Sequence, residues 1–556
     1  MGIDKVGSKP VATTTTTTTN VSAPPPKPPQ VKAPPPKPPE SSFKPTPKQA
    51  KERAEQMKHV EGTMKLAEVP AEVQTKMMEK LKKLPPAEFD REVAQMQKHL
   101  SGPNADRAIS TQAKLLELAD ASPEAKTRLT PDVRAALVDS VGTPRNLAQL
   151  GSAEALGQAG IMGQQQAEEA AKGLIAMPAE QYKTTTELLG KAGQATSASP
   201  AADAQTEKSL ILKAVASRAD RLGANLQDTA AVTSGQANAT ESARAMKEIS
   251  DFAGDIRGTS KGELIRTTSP LDLDPTVNNS MLDPQKMNSP NSDLQGNNDG
   301  LYQRYLQSCA PTVAQMARAE ADPVYARALA KDPTLADKDQ AKVLKDAGAV
   351  DPRHRESRQL WDNVTDEAKK MGLDTDEKFG PLNNVIAGKD QGWWDESVGK
   401  GQLEVLRGRN GGHPTDGEIT KMRADGTDGK KQMDLDKALN SAAKPSTHVD
   451  YTDKKVAVSG LNDEDLKTAD ANLKRGQAVP IRMDVKGEGG TGHFVNVSDV
   501  RGNSPNRRYL VSDPWSGGTA WVKESELKND PGATPHWQKR LFGLDANRVT
   551  HLYVAK

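Results

Sequence analysis

Residues 300–319 read Gly300-Leu-Tyr-Gln-Arg-Tyr-Leu-Gln-Ser-Cys-Ala-Pro-Thr-Val-Ala-Gln-Met-Ala-Arg-Ala319 and hold the one cysteine of the 556-residue chain, Cys309. Ser308 can cap a helix, Pro311 is tolerated only in a first turn, and Val313, Met316 and Ala317 then supply a short buried face that Glu320 ends. The spacing predicts a helix starting at Ser308 with the thiol at its N-terminus. There the unpaired N–H groups and the helix dipole favour thiolate over thiol. Taken alone, such a cysteine reads equally well as a small residue packed at a helix start.

Other residues give the thiol company. Six positions upstream stands Gln303, whose side-chain amide can reach the same pocket as the Cys309 backbone N–H. Two such donors make an oxyanion hole. Far downstream, Thr491-Gly-His-Phe-Val-Asn-Val497 begins a strand with His493 at its mouth, and Tyr509-Leu-Val-Ser-Asp-Pro-Trp515 ends another with Asp513. If these strands pair through a turn over Gly502–Asn506, His493 and Asp513 come within hydrogen-bonding reach. The carboxylate then fixes the ring tautomer and supports the imidazolium, with Trp515 as a shield from water. Asp499 lies too far along the same strand to face the ring, and Asn496 points to the opposite face.

Gln303, Cys309-Ala-Pro-Thr312, Gly492-His-Phe-Val-Asn-Val497 and Tyr509-Leu-Val-Ser-Asp-Pro-Trp515 together resemble the papain-like cysteine peptidase superfamily. The resemblance is nearest to bacterial relatives of the bacteriocin-processing (double-glycine) peptidases and covers about residues 300–556. It implies an α+β papain-like domain, with a helix bearing the cysteine packed on an antiparallel sheet bearing the histidine and aspartate. It also implies roles: Gln303 supports the oxyanion, Cys309 attacks a carbonyl, His493 is general base and then acid, and Asp513 orients the ring. The chain departs from the family pattern in carrying Ser308-Cys-Ala310 where Asp-Cys-Gly is common, in a longer span from cysteine to histidine, and in having no transporter attached. Double-glycine specificity is therefore not carried over. Residues 320–450, with Trp393-Trp394, read as an insertion.

Around this core the expected organisation is multidomain. Residues 1–46 carry a threonine run, Thr13–Thr19, and two Ala-Pro-Pro-Pro-Lys-Pro-Pro repeats at Ala23 and Ala33. They read as a disordered, polyproline-like tether. Residues 47–266 are rich in helix formers and read as an all-α region. Three helix starts there are alike, at Pro70-Ala-Glu, Pro86-Ala-Glu and Pro178-Ala-Glu, each with a proline that needs no donor and a glutamate at the positive end of the dipole. Phe89, Val93, Met96 and Leu100 recur at helical spacing, and breaks are expected near Gly102, Gly142 and Gly193. Residues 267–300 are turn-rich and read as a linker or surface arm. Residues 301–556 form the hydrolase domain, helix first and sheet last. Helices are expected around Asp337–Gly348 and Arg355–Met371, and strands over Val479–Val485, His493–Val500, Arg508–Ser512 and Val549–Val554.

Composition narrows the function classes. Hydrophobic residues make up 35% and aromatics 3%, and mean hydropathy is -0.70, so part of the chain is expected to be disordered or thinly packed. Before residue 300 the aromatics are Phe43, Phe89, Tyr182 and Phe252, which points to a C-terminal location for the shaped site. Lys+Arg 75 against Asp+Glu 74 supplies no field for nucleic acid or anionic membranes. The apolar runs, such as Gly173–Met177, fall far short of the ~20 residues a spanning helix needs. Met1–Ser8 has no apolar signal region, so the expected location is cytoplasmic, or secreted by a specialised route without a Sec signal peptide. No metal or cofactor is expected, since one cysteine forms no thiolate cluster and the eight histidines form no His-Glu-x-x-His pair.

Two motif matches fail on context. Gly258-Thr-Ser-Lys-Gly262 matches the nucleophile elbow without a preceding strand, and Gly487-Glu-Gly-Gly-Thr-Gly492 leads into a strand where a phosphate-binding loop leads into a helix. The expected function is a cysteine hydrolase acting on a peptide or amide bond through an acyl-thioester, its protein or peptide substrate the main partner, in a layout that suits a bacterial effector or toxin. The alternatives are a glutamine deamidase or acyl transferase on the same residues, and a non-catalytic scaffold that binds a protein partner through its helical region.

Overall fold

The computed structural model describes residues 47–102, 104–142, 161–194, 204–223, 236–259, 263–264, 267–268, 301, 309–332, 335–336, 339–340, 342, 435–457, 460–485, 492–501, 504, 507–514, 518–528 and 546–556. The tether over 1–46, most of the arm over 267–300, Gln303, the helix expected over 355–371, Trp393-Trp394 and Trp515 lie outside them. The chain divides into two compact units, 1–50 and 51–556, and apart from residues 47–50 the described residues belong to the second.

The first half is helical: α1 (Pro47–Leu66), α2 (Ala71–Lys83), α3 (Pro86–Leu100), α4 (Ala105–Asp120), α5 (Pro123–Arg128), α6 (Pro131–Gly142), α7 (Gln164–Ala176), α8 (Ala179–Lys191), α9 (Ala204–Ala216), α10 (Ala219–Gly223) and α11 (Gln236–Ile256). The three proline starts behave as their chemistry requires: Pro86 is the first residue of α3, and Pro70 and Pro178 stand immediately before α2 and α8. Glu72, Glu88 and Glu180 occupy the first turns, against the positive dipole end. The breaks fall at Gly102, Gly142 and Gly193, the last with φ +77.

This half is not thinly packed, in spite of its few aromatics. α1 to α4 enclose a core in which Met57, Met64, Met77 and Met96 meet Val60, Leu81, Phe89 and Val93. A second core, along α6, α7, α9 and α11, is aliphatic and rich in alanine. Ala167, Ala170 and Ala171 of α7 and Ala214 of α9 are fully buried, and a Cβ at Gly173 would meet Val215 at 3.3 Å. Small side chains let the helices approach closely, so contact between neighbours supplies the packing that aromatic bulk would otherwise give.

The second half begins with α12 (Cys309–Ala321), the helix the sequence anticipates, and α13 (Pro323–Lys331). α14 (Leu435–Ala442) and α15 (Lys444–Thr447) precede a six-stranded antiparallel sheet. In chain order its elements are β1 (Tyr451–Lys455), α16 (Asp463–Lys474), β2 (Val479–Val485), β3 (Gly492–Arg501), β4 (Arg508–Asp513), β5 (Gly518–Lys523), α17 (Glu524–Leu527) and β6 (Ala546–Ala555). Their order in space is β1-β6-β2-β3-β4-β5. Alternation along the strands sorts the side chains into two layers. Leu552 and Val554 of β6 join Ile481, Val495 and Val497 beneath Leu466 and Leu473 of α16. Tyr553 and Ala555 join Phe494 beneath Val313 and Ala317 of α12 and Leu439 of α14.

The halves meet at a place where neither has a side chain to spare. The Gln165 N–H donates to the Arg475 carbonyl at 3.1 Å, and a Cβ at Gly163 would lie 2.2 Å from the Gly476 Cα. Gly476 closes α16 at φ +87, its N–H donating to the Leu473 carbonyl at 2.9 Å. Gly476→Ala is therefore expected to destabilise the protein by at least about 1–2 kcal/mol, the left-handed penalty of a residue with a Cβ, before the displaced Gly163 backbone is counted. Gly190→Ala, at an exposed helical position with no atom within 4 Å, is expected to be neutral or stabilising by up to about 1 kcal/mol. Thermal unfolding of the two variants beside wild type checks both.

Candidate active site

α12 begins at Cys309, so the thiol stands at the helix N-terminus among donors with no partner inside the helix. Pro311, in the first turn, removes one of those donors at no loss to the helix. The residue is 7% exposed and belongs to the cluster of Ala310, Phe494, Tyr553 and the apolar face of α14.

The histidine and aspartate are brought together by strand register. β3 and β4 are antiparallel, with Asn496 opposite Ser512. Asp513, the last residue of β4, follows Ser512 and so stands beside the first residues of β3, within reach of His493. The His493 Nε2–H donates to Asp513 Oδ1 at 2.8 Å. The His493 side chain is 7% exposed and that of Asp513 0%. The Cys309 side chain is near enough to the same ring to act on its proton.

Burial by itself works against a charged ring. The Asp513 carboxylate, through its charge and its hydrogen bond, and then the contact with Cys309 more than offset that, and the His493 pKa is pushed up to about 10. At neutral pH the ring is an imidazolium held between a sulfur and a carboxylate. Such a ring stabilises a thiolate beside it and carries a proton for a leaving group.

Of the four residues singled out in the sequence, His493 and Asp513 are hydrogen-bonded, Cys309 begins α12 and acts on the His493 proton, and Gln303 lies outside the described residues. Asp499 is not near the ring; it accepts from Arg107 at the far end of β3. The sequence reading missed the wall of the site. α14 comes from the insertion, and Leu435, Ala438, Leu439 and Ala442 bury against the cysteine helix. Their i, i+3, i+4, i+7 spacing is a helical signal that could have found them. Phe494 and Tyr553, with ring centroids 5.9 Å apart, complete the apolar surround. Gly258 of the discarded elbow follows directly on α11, a helix and not a strand.

Among the described residues no group of three His, Cys, Asp or Glu side chains converges as metal ligands, and no helix is long and apolar enough to cross a membrane. Compared with known proteins, the chain matches no family model and no curated protein.

The raised pKa links the site to stability. A histidine that binds its proton more tightly when folded adds stability in full below its unfolded value of about 6.5 and loses it as pH rises through the folded value. For His493 the loss is expected between about pH 6.5 and about 10. Urea unfolding at intervals across that range should show falling stability in wild type and a flatter profile in Asp513→Asn. Histidine NMR should show the His493 titration moving toward about 6.5 in that variant.

Proposed function

We propose that the protein is a cysteine hydrolase with a papain-like C-terminal region that cleaves a peptide or side-chain amide bond. The observation that carries the reading is a helix-start thiol beside a buried, protonated imidazole that meets a carboxylate at 2.8 Å.

In this mechanism the Cys309 thiolate attacks the carbonyl carbon, and the oxygen takes up the negative charge. The backbone N–H groups at the start of α12 lie beside the sulfur and are the donors for that charge. Gln303 is assigned as a second donor on its spacing of six residues alone. His493 gives its proton to the departing nitrogen, leaving an acyl-thioester on Cys309 and a neutral ring. The ring then takes a proton from water, whose oxygen attacks the thioester. The acid leaves, and thiolate and imidazolium are restored. Asp513 keeps Nε2–H directed away from the sulfur, so that Nδ1 makes both transfers. The substrate assigned is a protein or peptide, as the resemblance implies, with Phe494, Tyr553 and aliphatic side chains packed around the cysteine helix start. Glutamine deamidation differs from this scheme in releasing ammonia from a side chain, and acyl transfer differs in the acceptor.

The test is the rate of Cys309 alkylation by iodoacetamide across pH 5–9, read by intact mass in wild type and His493→Ala. Rapid modification below pH 7, slowed about tenfold or more in the variant, is the expected result. Slow modification with an ordinary thiol profile in both proteins would overturn the reading. On a peptide or glutamine-amide substrate library, Cys309→Ala is expected to lose about a thousandfold or more of any turnover found.

A further inference from the structure

The two elements that bear the reacting groups are each tied down at the end remote from them, and both ties run to the helical half. α12 starts at Cys309 and ends at Ala321; the next residue is Asp322, which is 4% exposed. Its Oδ1 accepts from Arg218 Nη1 at 2.8 Å, from Ser217 Oγ at 3.3 Å, and from the Val324 and Tyr325 N–H groups that open α13. Arg218, in the turn between α9 and α10, is itself fixed by Glu248 of α11, to which its Nε donates at 2.8 Å. On the other element, His493 stands near the start of β3. Asp499 lies six residues on, where the β3–β4 register shifts. Arg107 of α4 donates from Nη2 to Asp499 Oδ1 at 3.3 Å and to the Val500 carbonyl at 3.0 Å. Arg107 and Asp499 are both buried.

The two arms are of similar length. From Cys309 to Asp322 is about 20 Å along a helix, and from His493 to Asp499 about 20 Å along a strand. A rotation of about 3° at either anchor therefore moves the thiol or the ring by about 1 Å, a displacement that costs on the order of a hundredfold in rate at a reacting pair. Burying two arginines against carboxylates is a poor way to gain stability over apolar side chains of similar size, but each guanidinium has one geometry in which its bonds are made.

We infer that Arg107 and Arg218 are positioning residues for the hydrolase site: the helical half acts as a brace that holds the cysteine helix through Asp322 and the histidine strand through Asp499, and so sets the Cys309–His493 spacing. The inference rests on the hydrolase reading above.

It is tested in the full-length chain with Arg107→Met and Arg218→Met, and with Arg244→Met as a control at an exposed ion pair. Circular dichroism and thermal unfolding establish that each variant is folded at the assay temperature, and the Cys309 alkylation rate is then measured from pH 5 to 9. Both methionine variants are expected to lose about tenfold or more of the rate at pH 6 while staying within about twofold of wild type at pH 9, the control remaining unchanged. Arg→Lys at either position, which keeps the charge and loses the fork, should recover part of the low-pH rate. Folded methionine variants with the wild-type pH profile would overturn the brace and leave the hydrolase reading standing. A wild type with no fast low-pH reaction overturns that reading and the brace with it. Should the methionine variants fail to fold, the lysine variants are read in their place: about a threefold loss at pH 6 is expected, and wild-type rates in both would overturn the inference.

Discussion

An imidazolium with almost no water around it persists in this protein because a carboxylate meets it at 2.8 Å. Desolvation of the ring is the largest influence on its proton, and it acts to remove it; Asp513 reverses the outcome. The rest of the second half depends on that pair. The ring and carboxylate sit on separate strands, so β3 and β4 must keep one register, since a slip of one residue would send either side chain to the other layer. Tight cover is needed too, because water at the pair would screen the attraction that keeps the charge. Both residues of the pair are buried, and α12, α14 and the Phe494–Tyr553 wall enclose the cysteine beside them.

The same constraint explains why the site was partly legible in the sequence. A helix-start cysteine betrays itself through Pro311, which fits a first turn and no later one, and the strand pair shows in the apolar alternation around His493 and before Asp513. Four strands could be read in this way. β1 and β5 could not, and they are the two edges of the sheet. Tyr451-Thr-Asp-Lys-Lys455 has one large apolar anchor and a run of charge, the composition that discourages an edge from pairing further and hides a strand from a pattern search. The packing of the helical half was underestimated for a different reason. Alanine and glycine contribute little to hydropathy, yet along α7 and α9 they govern how close two helices come.

Three kinds of contact between the halves impose different demands. Gly163 and Gly476 bring backbones together and tolerate no side chain. Val324 of α13 lies against the aliphatic core of the helical half and asks only for apolar volume. The ion pairs are directional: Arg218–Asp322 and Arg107–Asp499 are buried, while Arg327 and Lys331 reach Asp255 nearer the surface. Backbone contact and apolar packing fix that the halves touch, whereas the buried pairs fix the angle at which they do. A turn-rich stretch between the halves in sequence is thus compatible with one continuous packing unit over residues 51–556.

The methionine-filled core of α1 to α4 carries a consequence of another sort. A thioether on an unbranched chain adapts to irregular gaps, so this core can absorb changes in neighbouring residues with small losses. Its sulfur atoms are also open to a chemistry that aliphatic side chains are not. Oxidation of fully buried Met64, Met77 or Met96 to the sulfoxide would place a polar oxygen among aliphatic side chains that offer it no donor, so damage acquired during a transient opening would hinder reclosure. An oxidising environment would in this way loosen the helical half through its methionines, whichever chemistry the thiol performs.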